Sequence, residues 1–357
     1  MHIIKNERPF IEALIIKIVS VLLGLLVYGL LIIVVTNLNP VEVFNSLLKG
    51  TFGSSKRLIN CLRDSAFLWL IAIGLSPAFK MGFWNTGAEG QILVGGMVSA
   101  AVMINLGDKL NNAVALILML VLSLIAGGIM GFIPAYFNVR YRTNETLFTL
   151  MMNYIAMQLV EFYVDVWDKK QSHSVGVINP DNKIGWFPKL FDNQYTLVFI
   201  IVLLVAIAMY IYLNYSKHGY EIEVVGQSER TANYAGINVP KAKIRTVILS
   251  GAVCALAGYI QTAGVSHTIS LNTSGGNGFT AIIVAWLGKF SVPVMGLMSF
   301  LITFLEKGTN QIASQFNYNE YGADVLVSII LFALLSSDFF CNYKIVLDKK
   351  VEVKHEH

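Results

Sequence analysis

Long apolar stretches separated by short polar segments follow one another along the chain. A helix that spans a bilayer needs about 20 mainly apolar residues. By this measure the sequence predicts ten candidate spans, at 11–35, 65–80, 88–106, 112–134, 144–164, 195–214, 244–263, 278–289, 292–314 and 322–341. The first is longer than the apolar region of a signal peptide, which has about 7–15 residues, so we expect it to be retained as a helix.

Two of these stretches are irregular. The 65–106 region is one apolar run broken by Pro77 and by the turn from Gly82 to Gly90, and 278–289 is short for a full crossing. A re-entrant segment is tolerated only where protein or a cavity covers its backbone. We therefore predict an all-α membrane protein, a polytopic helical bundle of about ten transmembrane segments with one candidate re-entrant piece. A single transmembrane domain would occupy 1–343, and 344–357 would form a charged cytoplasmic tail.

Composition and charge agree with a membrane protein. Of the 357 residues, 55% are hydrophobic and only 13% are charged, with a mean hydropathy of +0.62. Because soluble domains carry about 25% charged residues, the expected solvent is a lipid bilayer. The net charge of +4 is dispersed, which suits loops beside an anionic leaflet and indicates no nucleic-acid partner. Basic residues near the helix ends favour cytoplasmic termini, although four basic residues in the 36–64 loop oppose this.

The sequence contains no catalytic, nucleotide-binding or metal-binding pattern. Gly288-Lys289 is the only Gly-Lys pair, and it lacks both the first P-loop glycine and the following Ser or Thr. The six histidines never fall at i, i+4, and the three cysteines are far apart, which favours packing roles. We expect no metal ion and no cofactor bound by this chain, and we expect that it is not an enzyme.

Three glycines and three polar side chains stand together at 82–91, between apolar runs. The polar residues are Asn85, Glu89 and Gln91. A carboxylate at the centre of a membrane helix costs about 2.5–3.5 kcal/mol on insertion scales and usually faces a cavity or a partner. The segment is therefore either part of a translocation pathway built on a broken helix, or a cytoplasmic turn with Glu89 near a helix N-terminus.

A second polar group, Arg140 to Glu145, comes directly before an apolar helix. Thr143 or Asn144 would cap this helix, and the arginines would mark the inner face of the membrane. Farther along the same helix, Asn153 would place an amide in mid-membrane, where it needs a hydrogen-bonding partner.

The third segment, 220–239, is polar and lies between two apolar runs. It predicts a short surface helix over Ser228 to Tyr234, ended by Gly236. Such a helix is either a docking site for a partner protein or an ordinary amphipathic loop helix.

Small residues mark further expected features. Two pairs spaced four apart, Gly127/Gly131 and Gly251/Ala255, would permit close packing of helices. The turn at 275–280 is typical of a hinge before the short apolar piece.

Together these stretches resemble the membrane subunit of an ABC importer, in the branch that takes up nucleosides and is related to ribose and other simple-sugar permeases. The likeness covers roughly 65–340, and Trp84 and Thr86 depart from the family pattern. The matching residues are Asn85, Gly87 to Gln91, Arg142 to Glu145, Asn153 to Ala156, Gly226, Ala232, Tyr234 to Asn238, Leu249 to Ala252, Leu256 to Gly258, Gly278 to Thr280, Ile282, Val284, Ala285, Leu287 and Gly288.

The resemblance implies a permease of the cell membrane that pairs with a second, similar permease subunit or with a second copy of itself. A cytoplasmic ABC ATPase subunit would use the ATP, and an extracytoplasmic substrate-binding lipoprotein would deliver the cargo. It also implies a translocation pathway near Asn85, Glu89, Gln91 and Asn153. The implied ATPase-docking segment contains Gly226, Glu229, Ala232, Tyr234, Ala235, Gly236 and Ile237.

Other interpretations stay open. The same resemblance fits a simple-sugar permease. An ion-coupled secondary transporter would need intramembrane carboxylates, for which Glu89, Glu145 and Glu161 are candidates; the docking-like segment speaks against this alternative. A membrane-embedded enzyme would need a paired nucleophile and base or a metal cluster, which the sequence does not offer.

Overall fold

The computed structural model describes residues 2–5, 10–36, 39–168, 175–190 and 193–316, and beyond these 325, 328–330, 332–333, 335–337, 339 and 343–346. Helices account for most of this chain. They are α1 (Phe10–Thr36), α2 (Pro40–Phe52), α3 (Ser55–Lys80), α4 (Ala88–Leu106), α5 (Asn112–Tyr141), α6 (Glu145–Trp167), α7 (Thr196–Tyr215), α8 (Lys217–Gln227), α9 (Glu229–Tyr234), α10 (Val239–Gln261), α11 (Asn277–Leu287) and α12 (Val292–Phe316). Two short strands, β1 (His2–Lys5) and β2 (Tyr343–Val346), pair antiparallel.

Seven helices in the described part of the chain are long and apolar enough to cross a membrane: α3, α4, α5, α6, α7, α10 and α12. They coincide with seven of the ten predicted spans. The predicted span at 11–35 is the 27-residue helix α1, whereas half of the span at 322–341 lies outside the described residues. The count of about ten spans is therefore not confirmed.

The predicted short segment at 278–289 is helix α11, which has 11 residues. At about 1.5 Å per residue it covers roughly half of a ~30 Å hydrocarbon core. The expectation that this piece is too short for a full crossing is confirmed.

The region before residue 65 is more helical than the apolar pattern predicted. Helix α3 begins at Ser55, and α2 lies within the 36–64 stretch that we expected to be a loop. The start of α3 was missed because charged residues such as Lys56, Arg57 and Arg63 occupy its first turns, and α2 was missed because its composition is mixed. Helix α2 instead carries a local signal, since Asn39 Oδ1 accepts a hydrogen bond from Val41 N at 3.0 Å.

The described chain falls into two compact units, Leu62–Leu301 and the combination of Met1–Cys61 with Ile302–His357. In the second unit, α2 packs on the later part of α12: Phe52 lies 5.9 Å from Phe304 between ring centroids, and Ser46 Oγ donates to Gln315 Oε1 at 2.8 Å. The strand pair, in the register His2 with Val346, was not predicted because four-residue strands carry too few positions for a period to show. The predicted tail at 344–357 is described only over the residues of β2.

The core of the Leu62–Leu301 unit is built by α4, α5 and α10. The predicted close packing of small residues is confirmed, because a Cβ placed on Gly251 would lie 2.3 Å from the carbonyl oxygen of Gly127. Any larger residue there would separate α5 from α10. Beyond its last regular turn, α10 continues into a π-helical turn at Thr262–Ser266.

Candidate functional site

The loop between α3 and α4, residues 81–87, folds back on itself through buried amide groups. The side chain of Asn85 is 0% exposed. Its Nδ2 donates to Ser250 Oγ on α10 at 3.0 Å, and its Oδ1 accepts from Gly87 N at 3.0 Å. The side chain of Gln91 pairs with the amide of Asn85 at 3.3 and 3.4 Å. The loop is thereby fixed to α10 and to the first turn of α4.

Helix α6 holds the other side of this loop through Asn153. Its Oδ1 accepts from Gly90 N at 2.9 Å, and its Nδ2 donates to the carbonyl oxygen of Thr86 at 2.9 Å. The expectation that a buried Asn153 needs a hydrogen-bonding partner is confirmed, and its partners are the backbone N–H of Gly90 and the carbonyl of Thr86. At the start of α6, Asn144 Oδ1 accepts from Leu147 N at 3.1 Å, which confirms a predicted cap.

Glu89, in the first turn of α4, is buried with its carboxylate at the N-terminus of α11. Oε1 accepts from Ser274 Oγ at 2.5 Å and from Gly276 N at 2.9 Å, while Oε2 accepts from Gly278 N at 2.8 Å. Gly275 and Gly276 reach this position with φ values of 59° and 74°, a region that glycine adopts without strain. Backbone N–H donors and the positive end of α11 stabilise the negative charge.

These contacts make the loop a junction of four helices: α4, α6, α10 and α11. The four residues predicted to lie near a translocation pathway, Asn85, Glu89, Gln91 and Asn153, are all buried and hydrogen-bonded within the protein. Their hydrogen bonds therefore hold the helices of the junction together. That these residues lie beside a translocation pathway stays a prediction. Their partners, such as Ser250 and Ser274, were missed, although buried amides and carboxylates imply donors somewhere in the sequence.

Four aromatic rings lie beside the junction. The indoles of Trp84, in the loop, and Trp286, on α11, stack with centroids 5.2 Å apart and planes 29° apart. They are 44% and 42% exposed. Phe79 and Phe290 pack behind them, at 5.8 Å from Trp84 and 5.4 Å from Trp286. The sequence singled out Trp84 as a departure from the family pattern, but nothing in it pointed to Trp286 as its neighbour.

The predicted short helix in the 220–239 segment is confirmed as α9. Ser228 Oγ accepts from Thr231 N at 3.2 Å at its start, and Gly236 with φ 78° follows its end. Tyr234 is 94% exposed, whereas Ala232 is 0% exposed. Ala232, which the resemblance places in the docking segment, therefore packs inside the segment itself, and the docking role of the segment stays a prediction.

Helix α8 joins this segment to the end of α3. A Cβ on Gly226 would lie 2.1 Å from the carbonyl oxygen of Lys80, and Lys80 Nζ lies 3.3 Å from Glu223 Oε2. Because Lys80 is the last residue of α3, the α8 contact adjoins the start of the junction loop.

A second link joins α8 to α10. Arg245 donates to Glu221 Oε2 at 2.8 Å, and this hydrogen bond lowers the pKa of the Glu221 carboxyl. A lowered pKa means that the contact stabilises the fold above the ordinary carboxyl pKa and is lost as the pH falls. Lys243 Nζ, also on α10, lies 2.6 Å from Glu229 Oε1 of α9.

Comparison with known protein families gives a match over most of the chain. The family described as the permease component of the branched-chain amino acid transport system matches residues 57–335.

Individual relatives are similar over nearly their whole length. The guanosine ABC transporter permease protein NupP of Bacillus subtilis (strain 168) is 28% identical, over 91% of this chain and 93% of its own. The glucose ABC transporter permease protein TsgB13 of Haloferax volcanii is 25% identical, over 92% and 88%. The nucleoside ABC transporter permease protein NupB of Lactococcus lactis subsp. cremoris is 25% identical, over 82% and 83%.

Proposed function

The chain belongs to the permease family of the branched-chain amino acid transport system and is a permease subunit of an ABC importer, and we propose that the cargo it carries is a nucleoside. The observation that best supports coupling of this permease to an ATPase is the direct packing of α8 on the last residue of α3. Through this contact, the α8–α9 segment, which is exposed and suited to docking, meets the loop that joins α4, α6, α10 and α11.

We propose that a cytoplasmic ABC ATPase subunit docks on the α8–α9 segment. The exposed residues Tyr234, Ala235 and Gly236 would form the contact, and Gly226 would transmit the movement to Lys80 and the junction loop. A ligand drives a conformational change only by binding one state better than the other. ATP would therefore act by favouring the permease state that fits the closed ATPase.

The remaining partners follow from the same assignment. A second permease subunit would complete the pathway, and an extracytoplasmic substrate-binding lipoprotein would deliver the cargo. We place the protein in the cell membrane with both termini cytoplasmic, because Lys80, Arg140, Arg142 and the basic α8–α10 region would then lie on the inner side.

A neutral cargo suits the junction. Glu89 is the only charged residue in the stretch 82–91, and its carboxylate accepts three hydrogen bonds from protein groups. Its oxygens are therefore already occupied by protein donors, and this stretch has no other charged side chain that could pair with an ionic cargo. Two of the relatives above are permeases named for guanosine or nucleosides, while the glucose relative makes a simple sugar the second candidate.

An ion-coupled mechanism finds less support in the same carboxylates. Glu145 Oε2 accepts a hydrogen bond from Asn138 Nδ2 at 3.0 Å, and Glu161 accepts one from Gln158 Nε2 at 3.2 Å on an exposed part of α6. Within the described chain, neither side chain is hydrogen-bonded to Glu89 or to its partners, so hydrogen bonds there do not connect these three groups into a proton path.

Competition for uptake tests the cargo. Membrane vesicles that contain the assembled transporter would be supplied with labelled guanosine and an excess of unlabelled nucleoside or sugar. We expect unlabelled inosine and uridine to reduce uptake, and ribose and glucose to leave it unchanged. Competition by ribose or glucose, with none by other nucleosides, would assign the chain to sugar transport.

A further inference from the structure

We propose that Trp84 and Trp286 together form a stacking surface for the planar base of the cargo. This inference rests on the proposed nucleoside transport and names the group of the substrate that this protein would recognise. The two residues come from different elements, the junction loop and α11, and nothing in their sequence spacing brings them together.

The first argument is the geometry of the pair. The indole centroids lie 5.2 Å apart at 29°, so each ring covers part of one face of the other. More than two fifths of each side chain is nevertheless exposed. An exposed π-face is the feature that proteins use to bind nucleobases without reading their sequence, because every base has a π-face of its own.

The second argument is that the pair is held rigidly from behind. Phe79 meets Trp84 edge to face at 90° and stacks on Phe290 at 13°. The turn that places Phe290 there is strained, since Lys289 and Phe290 have φ values of 48° and 57°. Bulky residues rarely adopt this region, and such strain persists where the surroundings impose it, often at functional sites.

Tryptophans at a membrane surface commonly serve as interfacial anchors, so this role must be compared with stacking. An anchor works by spreading its ring among lipid headgroups, whereas these two indoles are packed on each other and on two phenylalanines. Within the described chain neither indole N–H makes a hydrogen bond, which leaves both donors available to a carbonyl or hydroxyl group of a ligand.

The position of the pair also connects it to the coupling path. Trp84 follows Lys80 by four residues, and Trp286 lies on the helix whose N-terminus Glu89 holds. A movement that enters at Lys80 would change the spacing of the two indoles. The stacking surface would then differ between the states of the transporter, as release of cargo requires.

The test uses the complete transporter in proteoliposomes, with the binding protein in constant excess. ATP-driven uptake of labelled guanosine and of labelled uridine would be compared for Trp84→Leu, Trp286→Leu, Trp84→Phe and Trp286→Phe. Phe162→Leu, which changes an exposed aromatic residue on α6 that is 60% exposed, is the matched control.

We expect the leucine variants to raise the KM for guanosine about tenfold or more, the effect of losing a base–aromatic stack. The phenylalanine variants should stay close to the wild type, and the loss should be larger for the purine than for the smaller uracil ring. A purely structural role would lower uptake of both cargoes equally. That result, or an unchanged KM with reduced protein yield as for a lipid anchor, would overturn the proposal. Failure of the wild type to take up either nucleoside would instead refute the proposed function.

Discussion

At the residue scale, Glu89 shows how a carboxylate can be buried in a membrane protein when protein donors surround it. Its oxygens accept hydrogen bonds from Ser274, Gly276 and Gly278. The donors belong to the turn that starts α11, so the carboxylate replaces the missing helical partners of that turn. The charge therefore has a structural task that requires no proton transfer.

Glu89→Gln tests this role. A glutamine oxygen can still accept from Ser274 and Gly276, but its NH2 group would face the N–H of Gly278. Because hydrogen bonds to charged groups contribute about 1.5–3 kcal/mol, we expect a lower melting temperature of the purified protein. Uptake should be largely retained and should respond to external pH as in the wild type.

Glu161→Gln, a change at an exposed carboxylate, should alter neither property and serves as the control. The account would be wrong if Glu89→Gln, at normal expression, reduced uptake to a small residual rate that no longer depended on external pH. That pattern would indicate proton coupling.

Some of these residue roles could be predicted and others could not. The cap at Asn144 and the need of Asn153 for a partner follow from local chemistry alone. The partners themselves do not, because Gly90 and Asn153 are 63 positions apart and only the packing of α4 on α6 brings them together. Sequence can reveal an unsatisfied group, but not the residue that satisfies it.

At the element scale, α9 exposes the side chain of Tyr234 and buries that of Ala232. We expect Tyr234→Ala to lower co-purification of the ATPase subunit, because truncating a buried aromatic contact of an interface typically costs about 2 kcal/mol or more. Tyr154→Ala, at a tyrosine of α6 that is 58% exposed, should leave co-purification unchanged.

Equal recovery of the ATPase with both tyrosine variants would show that α9 is an ordinary loop helix. Ala232→Trp would not give a clear answer, since the bulky ring would disrupt the segment before any partner arrives.

The contact between α8 and α3 separates docking from transmission. In Gly226→Ala the new methyl group would collide with the carbonyl oxygen of Lys80, 2.1 Å away, and overpacking of this kind costs about 1–3 kcal/mol. We expect the ATPase still to co-purify while ATP-driven uptake falls severalfold.

The matched control is Gly128→Ala on α5, where the nearest atom would lie 3.4 Å away, an ordinary van der Waals distance. If Gly226→Ala took up cargo at the wild-type rate, movement would have to reach the junction loop by another route.

Whether the sequence predicted a helix depends on how apolar that helix is along its length. Helices such as α5 and α7 are apolar along their length and were predicted directly. The first turns of α3 were missed because they carry charged side chains, and α2 because its composition is mixed. A window that measures apolar content responds to the solvent around a helix and not to the helix itself.

At the scale of the whole molecule, separated motifs carried more information than any single one. The stretches at 82–91, 142–153 and 278–288 lie in or beside the junction where the loop, α4, α6, α10 and α11 meet, and the stretch at 226–238 adjoins the start of the loop through the contact of Gly226 with Lys80. Each stretch alone could equally be interpreted as an ordinary turn, helix cap or loop helix. Their common order along the chain indicated the family, and the structure supplies the physical reason why they occur together.

The source of energy for uptake is the most direct test of the whole account. Right-side-out membrane vesicles with the assembled transporter would be loaded with or without ATP and given labelled guanosine, in the presence or absence of a protonophore. We predict uptake that requires internal ATP, persists when the proton gradient is dissipated and is missing from vesicles that lack this chain. Uptake that proceeds without ATP and collapses with the gradient would contradict the account and would identify an ion-coupled transporter.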